Sequence, residues 1–178
     1  MKKLTYLMLI AIVSMSFTSC EKKVEKEIGL QLWSIRDAMR DDAAATVQRV
    51  GEIGYDFIEA ANYADGQFYG MDPLDFKKLL NDNGIEFLAS HTGKALPDSA
   101  TWDETMAWWD ACIDAHVAAG VKYIVQPFMC QKGYGSVEDL KAYCDYFNLI
   151  GEKCNAKGIR FGYHNHDGEF NNPLEDGS

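Results

Sequence analysis

The chain has 178 residues, with 25% charged and 47% in the hydrophobic set, an ordinary globular balance and enough length for one well-buried core. Its 17 basic residues face 27 acidic ones, for a formal charge of −10. Such a surface repels phosphate backbones, which excludes nucleic acid as a partner on charge alone.

Lys2 and Lys3 precede a mostly apolar run from Leu4 to Phe17, and Thr18, Ser19 and Cys20 follow. A charged start, an apolar centre and small residues before a cut form the layout of a secretory signal. The run is too short and too polar at its end for a membrane span. A cysteine directly after small residues resembles a bacterial lipobox, although Phe17 is bulkier than the usual aliphatic residue. The alternative is an ordinary signal cut near Ser19. Residues 1–20 are therefore expected to be a lipoprotein signal peptide with Cys20 as the lipidation site. That makes the mature chain an exported cell-envelope lipoprotein, facing the periplasm or the cell surface, held to the membrane only by its N-terminal lipid. Residues 21–27, with Val24 as their one apolar side chain, read as a charged, solvated tether. The remaining cysteines, Cys112, Cys130, Cys144 and Cys154, have irregular spacing and no CxxC, which argues against a zinc knuckle. Cys112, Cys144 and Cys154 fall in helical patterns and read as buried free thiols.

From residue 28 short apolar runs alternate with longer amphipathic ones. Ile28 to Trp33 reads as a strand. Ala43, Val47, Val50 and Ile53 then recur at helical spacing, closed by Gly54. Asp56 to Ala60 is a second strand, and Phe76, Leu79 and Leu80 mark a second helix between Pro73 and Gly84. Ile85 to His91 is the third strand. Trp102, Met106, Trp109, Ile113 and Val117 form the stripe of a third helix ended by Gly120, read as core packing, with His116 structural. Val121 to Pro127 is the fourth strand. Leu140, Cys144, Phe147, Gly151 and Cys154 carry a fourth helix stopped by Gly158, and Ile159 to His164 is the fifth strand.

The order β-α-β-α-β-α-β-α-β predicts a parallel sheet, either an open doubly wound one or a (β/α)8 TIM barrel. The loop after the first strand, Ser34-Ile35-Arg36-Asp37, has no glycine, so the dinucleotide fingerprint of a Rossmann domain is missing. Polar and ionisable residues recur where strands end: Gln31, Glu59, His91, Gln126, His164 and His166. Barrels collect their reactive groups at those ends, which favours the barrel. Units of about 33 residues would complete eight near roughly residue 290. Residues 28–178 are thus expected to be a partial barrel of about five units, lacking strands six to eight. Two unpaired edges and an open interior predict weak or no activity for this stretch alone.

The densest group of potential metal ligands and acid/base groups is Tyr163-His164-Asn165-His166-Asp167-Gly168-Glu169. Residues two apart on a strand share a face, so His164 and His166 can enter one pocket and ligate a metal; otherwise one caps a loop and the other packs. Glu169 reads as a proton acceptor, a partner to the ligands, or a solvated loop acid. Glu59 follows the apolar pair Phe57-Ile58 and needs a partner or a pocket. Trp33 either stacks on a sugar face or packs in the core. Gln31 and Gln126 are candidate hydroxyl binders. The glycine-containing loop Gln131 to Ser136 lacks the P-loop pattern.

Residues 28–34, 54–59, 85–91 and 161–167 together resemble the xylose-isomerase-like TIM barrels, the group of sugar phosphate isomerases/epimerases that also includes apurinic endonucleases, and in particular an exported bacterial branch. The resemblance implies a divalent-metal site at the barrel mouth and a pair of groups moving a proton next to a sugar carbonyl. His91 resembles the barrel-mouth histidine of that group. Where the family usually places a glutamate on the fifth strand, this chain has Tyr163-His164-Asn165-His166, which puts a two-glutamate shuttle in doubt. The function expected is a metal-dependent sugar or sugar phosphate isomerase/epimerase, with Glu59, His91 and Glu169 catalytic, Gln31, Trp33 and Gln126 binding a small carbohydrate, and His164 and His166 on Mn²⁺, Mg²⁺, Co²⁺ or Zn²⁺. A lyase or dehydratase on the same barrel, and a non-catalytic carbohydrate-binding lipoprotein, are the alternatives. Oligomeric state is left open, a homo-oligomer included.

Overall fold

In chain order the computed structural model, which describes residues 26–171, runs through β1 (Gly29–Gln31), a 3-10 turn (Leu32–Ile35), α1 (Arg36–Asp41), α2 (Ala43–Ile53), β2 (Phe57–Ala60), β3 (Tyr63–Ala64), β4 (Gln67–Phe68), α3 (Pro73–Asp82), β5 (Glu86–His91), α4 (Trp102–Ala119), β6 (Tyr123–Gln126), a second 3-10 turn (Gln131–Tyr134), α5 (Val137–Ala156), β7 (Arg160–Tyr163) and α6 (Gly168–Asn171). The expected signal peptide, Cys20 and most of the tether lie outside the described residues.

Local chemistry accounts for the boundaries. Asp42 caps α2 by accepting the Ala45 amide at 2.9 Å, and Gly54 ends it at φ 97°, a left-handed conformation that costs glycine little. Asp72 caps α3, whose first residue is Pro73, and Ser136 caps α5 through the Asp139 amide. β1 stops at Gln31, two residues short of the expected Trp33, because the chain coils there to bury Leu32 and leaves Trp33 outside. The hairpin β3–β4 was not anticipated. Its two-residue loop is Asp65-Gly66, both at positive φ, the Asp-Gly signal of a tight hairpin turn.

Five strands pair in parallel in the spatial order β1-β2-β5-β6-β7. Apart from the separate hairpin, every strand neighbours its sequence neighbour and the order never reverses. A doubly wound sheet must reverse at a switch point, so this is the singly wound order of a barrel wall. The fold is therefore the expected α/β arrangement of an incomplete TIM barrel.

The helices cover one face of the sheet. Ile58 and Ala60 of β2 and Phe87 of β5 are buried with Val47, Val50, Phe76 and Leu80, while Ile124 of β6 is buried with Trp109, Tyr146 and Ile150. The alternate positions Phe57, Glu59, Tyr123 and Val125 are only half-buried and face the barrel interior.

Two helix faces differ from expectation. In α4 the buried residues are Thr105, Trp109, Cys112, Ile113, His116 and Ala119, whereas Val117 of the expected stripe is 43% exposed. In α5 the core face is Tyr143, Tyr146, Ile150 and Cys154, and Cys144, expected as a buried thiol, is exposed. The tyrosines displace smaller side chains because their hydroxyls find partners: Trp109 Nε1 donates to Tyr146 Oη at 2.6 Å, and the Tyr143 hydroxyl lies 2.5 Å from Cys130 Sγ.

Candidate functional site at the barrel mouth

Parallel pairing brings the carboxyl ends of all five strands to one rim. Gln31 and Glu59 are register partners at the ends of β1 and β2, and Gln31 Nε2 donates to Glu59 Oε1 at 2.5 Å. The acid that needed a partner has one, and the amide fixes its rotamer.

His91 reaches the inner face because of a bulge. Ile58 pairs with Phe87 but Glu59 pairs with Ala89, so Leu88 is the extra residue. Phe87 thus stays under the helices, beside Phe76, while Ala89 and His91 turn to the side of Glu59 and Val125. Without the bulge, strict alternation would send His91 into the helix layer. Burial draws the His91 pKa below the ordinary imidazole value; the charge of Glu59 pulls it back up, and His164 and His166 push it down again.

β7 ends at Tyr163, one residue before the expected His164. His164 and His166 therefore stand on the following loop, and their proximity comes from loop geometry instead of strand alternation. The His164 amide continues the ladder by donating to Gln126 O at 2.9 Å. The two rings stack with centroids 4.7 Å apart, and His91 meets His164 edge to face at 5.1 Å. Among the described residues no set of three or more His, Cys, Asp or Glu side chains is arranged to hold a metal ion. The pair His164 and His166 is thus a partial donor set.

A cleft of about 660 Å³ opens over these residues, bordered by Gln31, Trp33, His91, Phe128, His164 and His166. Trp33 is 53% exposed, with the Arg36 guanidinium 5.0 Å from its ring, so the core-packing alternative does not describe it. Phe128, 40% exposed and also bordering the cleft, was missed; an aromatic directly after Pro127 at a strand end was its signal.

Two expected residues stand apart from the cleft. Gln126 is fully buried, on the helix side of β6 with Ile124; its Nε2 donates to Phe128 O at 2.8 Å. It shapes the wall and does not offer itself to a ligand in the cleft. Glu169 accepts from the hydroxyls of Tyr134 (3.0 Å) and Tyr163 and from the His166 amide (2.8 Å). Burial pushes its pKa up, but these donors outweigh burial and hold the carboxyl below the usual range. The glycine-containing loop after β6 forms a 3-10 turn that supplies Tyr134 to Glu169.

Residues 47–177 match the family model described as xylose isomerase-like TIM barrel. No curated protein matches the chain. Among solved structures, a sugar phosphate isomerase/epimerase from Parabacteroides distasonis ATCC 8503 is 31% identical with a TM-score of 0.75, over 85% of this chain and 59% of that one. A second sugar phosphate isomerase/epimerase structure from the same organism is 27% identical with a TM-score of 0.74, over 89% and 57%. The chain thus spans less than two thirds of the length of either. The D-psicose 3-epimerase of Clostridium cellulolyticum H10, solved with D-tagatose, shares the fold at 17% identity and a TM-score of 0.56, over 76% of this chain and 51% of that one.

Proposed function

The chain belongs to the xylose isomerase-like TIM barrel family, and on that footing we propose that the whole protein is a sugar isomerase or epimerase that moves a proton next to a carbonyl. The observation that carries the reading is the convergence of His91, His164 and His166 on one sugar-sized cleft at the carboxyl rim of the strands. The likeness to the two sugar phosphate isomerase/epimerases of Parabacteroides distasonis supports it.

His91 is the group that takes the proton: its ring borders the cleft, and burial draws its pKa below the ordinary imidazole value. Glu59, held by Gln31, supplies the negative charge that favours the imidazolium once formed. Trp33 offers an exposed ring face on which a sugar's C–H face stacks. His164 and His166 are the residues that would hold a divalent cation. Two imidazoles fit such an ion chemically, and neither ring hydrogen-bonds another group among the described residues. When bound, the cation supplies Lewis-acid stabilisation of the enolate. We also propose, from the charged start, apolar run and small residues before Cys20, that the protein is exported and carried on the cell envelope by lipid on Cys20.

The test uses the full-length protein with a panel of neutral and phosphorylated aldoses and ketoses in D2O. Deuterium should enter the substrate at the carbon beside the carbonyl. Chelation should abolish exchange, and Mn²⁺ or Co²⁺ should restore it. Sugar binding without exchange would mark a carbohydrate-binding protein instead, and a product lighter by one water would mark a dehydratase.

A further inference from the structure

We propose that Glu169 is a positioning residue, which sets the His164–His166 pair through Tyr134 and Tyr163, and is not a base that takes a proton from substrate. The proposal deepens the reading above and rests on it for its catalytic consequence.

Both oxygens of the carboxylate are already committed. Oε1 accepts from Tyr134 and Tyr163, and Oε2 accepts from the His166 amide. The donors come from three separate places: the 3-10 turn after β6, the last residue of β7, and the loop that carries the histidines. Charge-assisted bonds of this kind are about twice as strong as neutral ones, and the three of them fill most of the roughly four acceptor sites of the carboxylate. Glu169 also does not border the cleft, while both histidines do.

The arrangement suits a clamp. The Tyr163 ring stacks on Phe147 of α5 at a centroid distance of 5.5 Å, so its hydroxyl direction is set by the core. Glu169 transmits that fixed direction to the loop by gripping the His166 amide. The His164 amide is tied independently to Gln126 O. The backbone between the two imidazoles is therefore pinned at both ends, and their stacking follows from it.

The experiment compares full-length wild type, Y134F, Y163F and E169Q, each free of metal, by imidazole nitrogen–proton correlation spectra. Each variant should shift the His166 ring resonances, and the His164 resonances less, while His91 stays where it is. In the deuterium-exchange assay the three variants should lose activity by similar factors of about 10–100, the range seen when groups supporting ligand residues are removed. Unmoved histidine resonances in both tyrosine variants overturn the proposal. So does an E169Q that loses exchange by a factor of about 10³ or more beside tyrosine variants of wild-type activity. If no sugar exchanges with any protein, the sugar reading fails, and the spectra still decide the clamp.

Discussion

His91 and His164 stand edge to face with ring centroids 5.1 Å apart, although β6 lies between the strands that carry them to the rim. The inward curve of the wall closes that gap: His91 enters above Val125 of β6, its register partner, and His164 hangs from Gln126 O at the end of the same strand. β6 is thus the common support of both imidazoles.

Replacing the imidazole tests the central role directly. His91→Gln should lower kcat/KM of the full-length protein by about 10²–10⁴-fold, the range for loss of a general base. Its melting temperature should remain near wild type, because His91 is only half-buried and makes no hydrogen bond that the core depends on. Wild-type turnover by this variant would move the proton-transfer role elsewhere.

Glu59 and Gln31 form a polar pair in the half-open interior. Gln31→Leu leaves the Glu59 carboxylate without its donor, at a cost of about 1 kcal/mol in stability. Activity should fall less than in Glu59→Gln combined with Gln31→Leu, since the double variant also loses the charge that favours the His91 imidazolium. Chemical denaturation and initial rates of Gln31→Leu, Glu59→Gln and the double variant provide the check; additive losses would show that the two side chains do not act together.

Gly93 and Gln126 occupy the same space. A Cβ on residue 93 would lie 1.7 Å from Gln126 Oε1 and 2.4 Å from its Cδ. Gly93→Ala must push aside a fully buried amide and break its bond to Phe128 O, for a loss of about 1–3 kcal/mol. Trimming the obstacle in Gly93→Ala/Gln126→Ala should return part of that loss, and a double-mutant cycle measures it. Equal destabilisation with and without Gln126 would count against the steric account.

His116 gives the fold a pH limit. It is fully buried between the rings of Tyr63 and Phe68, with Nδ1 2.6 Å from Cys112 O, and burial lowers its pKa from 6.5 to about 4 despite that bond. A folded-state pKa below the unfolded one contributes stability that is fully present above about pH 6.5 and is lost as pH falls towards 4. The loss reaches about 3 kcal/mol at the lower limit. His116→Leu should flatten the dependence of melting temperature on pH in that window, whatever it does at neutral pH. An unchanged slope would place the acid sensitivity in other groups.

Much of the architecture was legible in the chain. Gly54, Pro73 and Gly120 mark helix ends by chemistry that acts within one turn, and the structure uses each where it was read; the caps Asp42, Asp72 and Ser136 act just as locally and were not read. Helix faces were read less well. Trp109 and Ile113 were placed correctly in α4, but Val117 was taken for core where His116 is buried, because an apolar count cannot tell that an imidazole has a carbonyl partner one turn back. The Asp65-Gly66 hairpin signal was present and unread.

The rim divides along the same line. Gln31, Glu59, His91, His164 and His166 announce themselves as polar residues closing apolar runs, and that pattern is local. Which of them face the cleft is not. Gln126 obeys the same pattern as His91 and points the other way, because the bulge at Leu88 shifts one strand's alternation and not the other's.

What the amino-acid order determined by itself is the succession of strands and helices, their caps, and the chemical identity of the groups delivered to the strand ends, since periods of 2.0 and 3.6 residues and single-turn caps depend only on near neighbours. Tertiary structure alone decided that the strands lie side by side in chain order, that Leu88 re-aims His91, and that Glu169 spends its oxygens on Tyr134, Tyr163 and the His166 amide. Those outcomes depend on distances between segments far apart along the chain, which are set only when the helices pack onto one face of the sheet.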